Sequence, residues 1–114
     1  MAVRQFDLLQ GTLDLLVLKC LSTGPSHGYA IASRIHQLSQ DALRIEEGSL
    51  YPALYRMEEQ GLIDSEWRVT ENNRKAKFYK LTRKGRTAAD AELTSWLRLS
   101  NAVTRVLRGL EQGA

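Results

Sequence analysis

The chain has 114 residues, of which 43% are hydrophobic and 25% charged, with a net charge of +3. That length holds one domain, and the apolar share suffices for a core, which excludes a disordered or low-complexity chain. The single cysteine, Cys20, excludes an intrachain disulfide and sets the expectation of a buried thiol in a reducing, cytoplasmic compartment.

No secretory leader is expected, because Arg4 and Asp7 precede the first apolar stretch. No membrane span is expected either, since that stretch contains Asp14 and Lys19. A first helix is predicted over residues 12–22, where Leu13, Leu16, Val17, Cys20 and Leu21 recur at helical spacing. Thr23-Gly24-Pro25 stops it. Ser26 is the expected cap of a second helix over residues 27–39, with Ile31, Ile35 and Leu38 inward. Residues 40–48 connect, and Ala42-Leu43-Arg44-Ile45 can form one short strand.

A third helix is predicted from Ser49 to the turn at Gly61, with Pro52 in its first turn, where a missing N–H costs nothing. At 100° per residue, Leu50, Ala53, Leu54 and Met57 share the core side. Pro52, Tyr55, Arg56 and Glu59 fall opposite, with Ser49 and Tyr51 flanking the first turn. A strand over residues 62–69 places Ile63, Ser65, Trp67 and Val69 on one face. The polar tip, residues 70–75, and a second strand over residues 77–81 complete a hairpin. Thr82 caps a last long helix reaching about Leu110.

The expected fold is therefore mainly α with a small β-hairpin: a winged helix-turn-helix over residues 1–82 and a C-terminal dimerisation helix over residues 83–114, in one compact unit. Charge supports that reading. Residues 68–86 carry eight Lys/Arg against one acid, so this segment holds +7 and the rest of the chain −4. An amphipathic helix with an exposed Ser/Tyr/Tyr/Arg end suits DNA recognition, because its N–H groups and dipole favour phosphate while its side chains reach base edges. Arg56 is assigned to guanine, with Tyr55 beside it, and Arg74, Lys75 and Lys77 make the hairpin a wing for neighbouring backbone.

Long stretches resemble the PadR family of transcriptional regulators. They are His27-Gly28-Tyr29-Ala30-Ile31, Gly48-Ser49-Leu50-Tyr51-Pro52-Ala53-Leu54, Gln60-Gly61-Leu62-Ile63, and Arg74-Lys75-Ala76-Lys77-Phe78-Tyr79-Lys80-Leu81-Thr82 followed by Gly85. The single last helix is similar to the short-tailed branch of the family. Ala76 and Phe78 depart from its usual wing, where basic or polar residues and Tyr are common. The resemblance implies a dimeric repressor, controlling its own gene or a neighbouring transporter or detoxification gene; paired recognition helices about one turn apart would then read an inverted-repeat operator in double-stranded DNA. It implies DNA contacts for Ser49, Tyr51, Pro52 and Lys77, and gives Tyr29 a supporting place at the phosphate-facing surface or in the core.

Dimerisation is assigned to the last helix. Leu93, Ser100 and Leu107 form one seam position, and Trp96, Val103 and Leu110 the other, with Leu97 broadening the stripe. Trp96 is expected to anchor the interface, and Trp96 with Ser100 is also a candidate site for a planar aromatic or drug-like effector. No cofactor, metal or catalysis is expected. The two histidines, His27 and His36, are nine residues apart on opposite helix faces, and no phosphate loop or nucleophile motif occurs. The rival reading is a winged helix serving as a protein- or RNA-binding module, since a fold does not fix its function.

Overall fold

The computed structural model describes residues 9–113. Arg4 and Asp7, which bear on the leader, and the outermost ends of the two expected units lie outside the described residues. The helices are α1 (Gln10–Leu21), α2 (Gly28–Leu38), α3 (Glu47–Glu59) and α4 (Arg83–Gln112). The strands are β1 (Ser26–His27), β2 (Ile63–Val69) and β3 (Lys75–Leu81). The strands form one antiparallel sheet in the order β1-β3-β2. This is a winged helix with a long C-terminal helix, as the element order predicts. Among the described residues no helix is long and apolar enough to cross a membrane.

The core is built from the faces the periodicity selects. Val17, Leu18, Ile31, Leu50, Leu54, Met57 and Ile63 are fully buried, joining α1, α2, α3 and β2 around one centre. Burial of about 1.5–3 kcal/mol per such side chain makes this cluster the main stabilising element. Cys20 belongs to it, and burial pushes its thiol pKa above the usual range, which disfavours the reactive thiolate.

Four expectations change. Leu38 is 76% exposed, because α2 ends there and the chain turns away. That turn places Gln40 and Asp41 at φ 54° and 66°, and Ser39 Oγ bridges it by donating to His36 O and accepting from Leu43 N. The turn leaves residues 42–45 without a strand; Leu43 makes only an isolated bridge. The strand before α2 was not expected: Ser26 and His27 pair with Tyr79 and Phe78 instead. Ser26 is therefore not the cap of α2. His27 is, its Nδ1 accepting from Ala30 N–H at 3.2 Å.

The third helix begins two residues earlier than expected, at Glu47, so Pro52 stands in its second turn rather than its first. Proline there removes the N–H that Gly48 would receive, which is tolerable because Gly48 is exposed and its carbonyl can meet water. Past α3, Gly61 takes φ 77°, the left-handed turn a glycine was expected to make. Thr82 caps α4 as predicted, accepting from Gly85 N–H at 3.0 Å.

Candidate nucleic-acid interface

The β2–β3 register controls what the hairpin presents. Ile63 pairs with Leu81, Ser65 with Tyr79, Trp67 with Lys77 and Val69 with Lys75. Directly opposed residues share a sheet face, so these eight side chains lie on one side. At the hairpin base that side is core, with Ile63 and Tyr79 buried. Toward the tip the strands outrun the body, and the same side overhangs the start of α3. Thr70 N–H to Arg74 O at 2.7 Å and Asn73 N–H to Thr70 O at 2.9 Å close the tip, with Asn73 at φ 59°.

Between this overhang and the helices lies a cleft of about 500 Å³. Tyr29, Tyr51, Arg74, Lys75 and Lys77 all line it, so five sequence-assigned residues from three separate stretches converge there. Among the described residues no carboxylate lines the cleft. Tyr51 reaches it by lying across Gly28, where a Cβ would sit 2.9 Å from the ring. Any larger residue at position 28 would push the phenol aside. Phe78 anchors the wing's root: the His27 ring meets its edge at 5.2 Å between centroids, and the Arg68 guanidinium lies 5.2 Å from its centre. The departure from Tyr at this position thus leaves a purely apolar anchor.

Lys77 is less free than its sequence position suggests. Its Nζ is 3.4 Å from Glu58 Oε1 and 5.8 Å from the Tyr79 ring centroid. Glu58 also accepts from Ser65 Oγ at 2.5 Å, which fixes that carboxylate at the wing's root. Arg74 and Lys75 are exposed and make no ion pair among the described residues. Tyr55 is exposed on α3 outside this cleft. Ser49, Pro52 and Arg56 line a second groove of about 280 Å³, on the α1 side of the same helix, with Gln10 and Leu13. The first turns of α3 stand between the two grooves.

Arg56 requires a correction. Its guanidinium makes a bidentate pair with Asp14 of α1, Nη1 to Oδ2 at 2.8 Å and Nη2 to Oδ1 at 2.9 Å. That hydrogen bonding raises the Arg56 pKa further, and it occupies the fork that guanine readout would need. Arg56 clamps α3 to α1 instead of reading a base. Arg56→Ala is therefore expected to lower unfolding free energy by about 1–2 kcal/mol, because Asp14 loses its partner in a half-buried site. Its effect on DNA affinity should be equal for specific and random sequences. Chemical denaturation with a double-mutant cycle through Asp14→Ala checks this: a coupling near zero would return Arg56 to the DNA surface.

Sequence reasoning passed over Trp67 and Asn72, which also line the cleft. Trp67 was legible as a face-sharing residue; that its face leaves the core at this point was not.

The residues assigned to dimerisation by the sequence lie on α4. Trp96, Leu97, Val103, Leu107 and Leu110 are exposed and Leu93 is half-buried. Trp96 also borders an apolar groove of about 260 Å³ between α1 and α4, with Leu9, Leu15 and Leu99. Ser100 is not part of that groove, and its hydroxyl donates to Leu97 O at 3.2 Å.

Residues 17–91 match the family described as the transcriptional regulator PadR-like family. A transcriptional regulator of Mycobacterium tuberculosis is 42% identical over 86 residues, covering 75% of each chain. Among solved structures, a PadR family transcriptional regulator from Eggerthella lenta is 34% identical with a TM-score of 0.71, covering 86% of this chain and 83% of that one. A PadR-like transcriptional regulator from Bacillus cereus is 29% identical with a TM-score of 0.76, covering 89% and 96%. With a family match across most of its length and a wing cleft assembled from the residues that carry the motifs, this chain belongs to the PadR-like family of transcriptional regulators.

Proposed function

We propose that the protein is a homodimeric, sequence-specific repressor that reads an inverted repeat in double-stranded DNA. The observation that carries this is the cleft in which Arg74, Lys75 and Lys77 of the wing face Tyr29 and Tyr51 at the helix starts, with no carboxylate among its described lining residues. Cations on the wing position the phosphate backbone, and the start of α3 reaches base edges through Ser49, Tyr51 and Pro52. Residues 1–82 form the DNA-binding part and residues 83–114 the dimerisation helix, which sets two recognition helices about one DNA turn, ~34 Å, apart. The half-exposed Trp96 beside the α1–α4 groove supports release by a planar aromatic effector, which must prefer the DNA-free arrangement.

The test is a fluorescence-anisotropy titration against inverted repeats selected from a random duplex pool. The expected result is a preference of several hundred-fold over random duplex. With about 6–10 phosphates neutralised per dimer, affinity should fall roughly 10³–10⁵ between 50 and 200 mM salt. Equal, weak binding to every duplex would leave the winged helix a protein- or RNA-binding module.

A further inference from the structure

We infer that Trp67 is a DNA contact of the wing: its indole packs against the deoxyribose faces of the duplex backbone while the neighbouring lysines hold the phosphates. This rests on the DNA-binding reading and adds to it an apolar recognition element that no wing motif names.

Trp67 is 68% exposed, yet it stands on the same sheet face as the fully buried Ile63. An indole at a position where the core has ended exposes a large apolar surface to water, and it is informative where it joins a contiguous apolar patch. Val69, two residues on, is exposed on the same face. Across the ladder the partners of these two are Lys77 and Lys75. The overhanging face therefore presents an apolar row on β2 beside a cationic row on β3, in which Lys75 makes no ion pair among the described residues and Lys77 is shared with Glu58.

The occupant that fits is a polyanion whose charges alternate with apolar surface. A nucleic-acid backbone has this pattern, with phosphates for the lysines and sugar faces for the indole and the valine. A flat apolar molecule would use the indole but leave the lysines unmatched, and an acidic peptide would use the lysines but leave the indole wet. Duplex is favoured over single-stranded DNA because the cleft opens beside the first turns of α3, the part of a winged helix-turn-helix that enters the major groove. Trp67 would then supply affinity insensitive to salt, in contrast to Lys75.

The chain has two tryptophans, so Trp96→Phe leaves Trp67 as the sole emitter. Titrating this variant with the selected duplex should give a saturable change in emission at the stoichiometry of binding. In the otherwise unaltered chain, Trp67→Ala should weaken duplex binding about 5- to 30-fold with the salt slope unchanged. Trp67→Phe should retain most of the affinity, and Lys75→Ala should reduce the slope by about one. Thermal melts of Trp67→Ala matching the parent separate lost contact from lost fold. A parent that binds duplex while Trp67→Ala binds it equally well overturns this inference alone. Single-stranded DNA that shifts Trp67 emission as tightly as duplex overturns it too. A parent that binds no duplex overturns both this and the proposed function.

Discussion

Gly85→Ala should destabilise the protein by about 3–5 kcal/mol, a loss that most single substitutions never reach. A Cβ built at this glycine falls 1.9 Å from the Leu62 carbonyl oxygen and 3.0 Å from Leu81 Cδ2. Relief requires a shift of more than an ångström, roughly the gap between that distance and an ordinary carbon–oxygen contact. Neither side can move cheaply. Leu62 O accepts from Thr82 N–H at 3.1 Å and from Thr82 Oγ1 at 3.1 Å, while Gly61 O accepts from Thr82 Oγ1 at 2.7 Å. Gly85 N–H itself donates to that hydroxyl. Backing α4 away from residue 62 breaks the cap of α4 and the joint between the end of α3 and the start of α4 together. The control is Gly109→Ala on the same helix, whose Cβ meets nothing within 4 Å. It should stabilise the helix by up to about 1 kcal/mol, since alanine loses less backbone freedom than glycine there. Thermal denaturation followed by circular dichroism reads both; a Gly85→Ala melting temperature within about 5 °C of the parent would show that the contact is not rigid.

The second large effect concerns α4. Its 30 residues span about 45 Å at 1.5 Å per residue, yet only Gly85 and Ala89 are buried along it. Leu97, Leu99, Val103, Val106, Leu107 and Leu110 are all exposed on its distal half. A stripe of this kind is too long for one small domain to cover, and the proposed dimer removes it from water. Val103→Glu with Leu107→Glu should therefore yield a folded monomer, because both side chains lie outside the core of the single chain. Affinity for an inverted repeat should fall about 10²–10⁴-fold as the two reading heads lose their linkage, while contact with random duplex changes far less. Sedimentation velocity checks the assembly state. An intact dimer in this double variant would move the interface elsewhere.

Much of this was legible in the sequence, and for identifiable reasons. Leu50, Ala53, Leu54 and Met57 were assigned to the core by helical spacing alone, and all four are buried. Thr82 was recognised as a cap because a hydroxyl ahead of a helix meets N–H groups only three residues away. Gly85 was flagged only through family resemblance, and its physical reason, the carbonyl of Leu62, lies 23 residues back along the chain.

What sequence alone determined is whatever depends on fixed spacing along the backbone: the helices, the hairpin, the core faces, the cationic segment and the motifs of the family. Tertiary structure decided which groups became partners. Asp14 took Arg56 from 42 residues away, so a residue on the expected reading face became a clamp between helices. Pairing with β3 drew Ser26 and His27 into the sheet, and the cap of α2 passed to His27. Trp67 kept the face that alternation gave it, but where the body beneath that face ends was set by packing of the helices. Local spacing fixes which way a side chain points, whereas its neighbour is chosen by how distant segments close around one core.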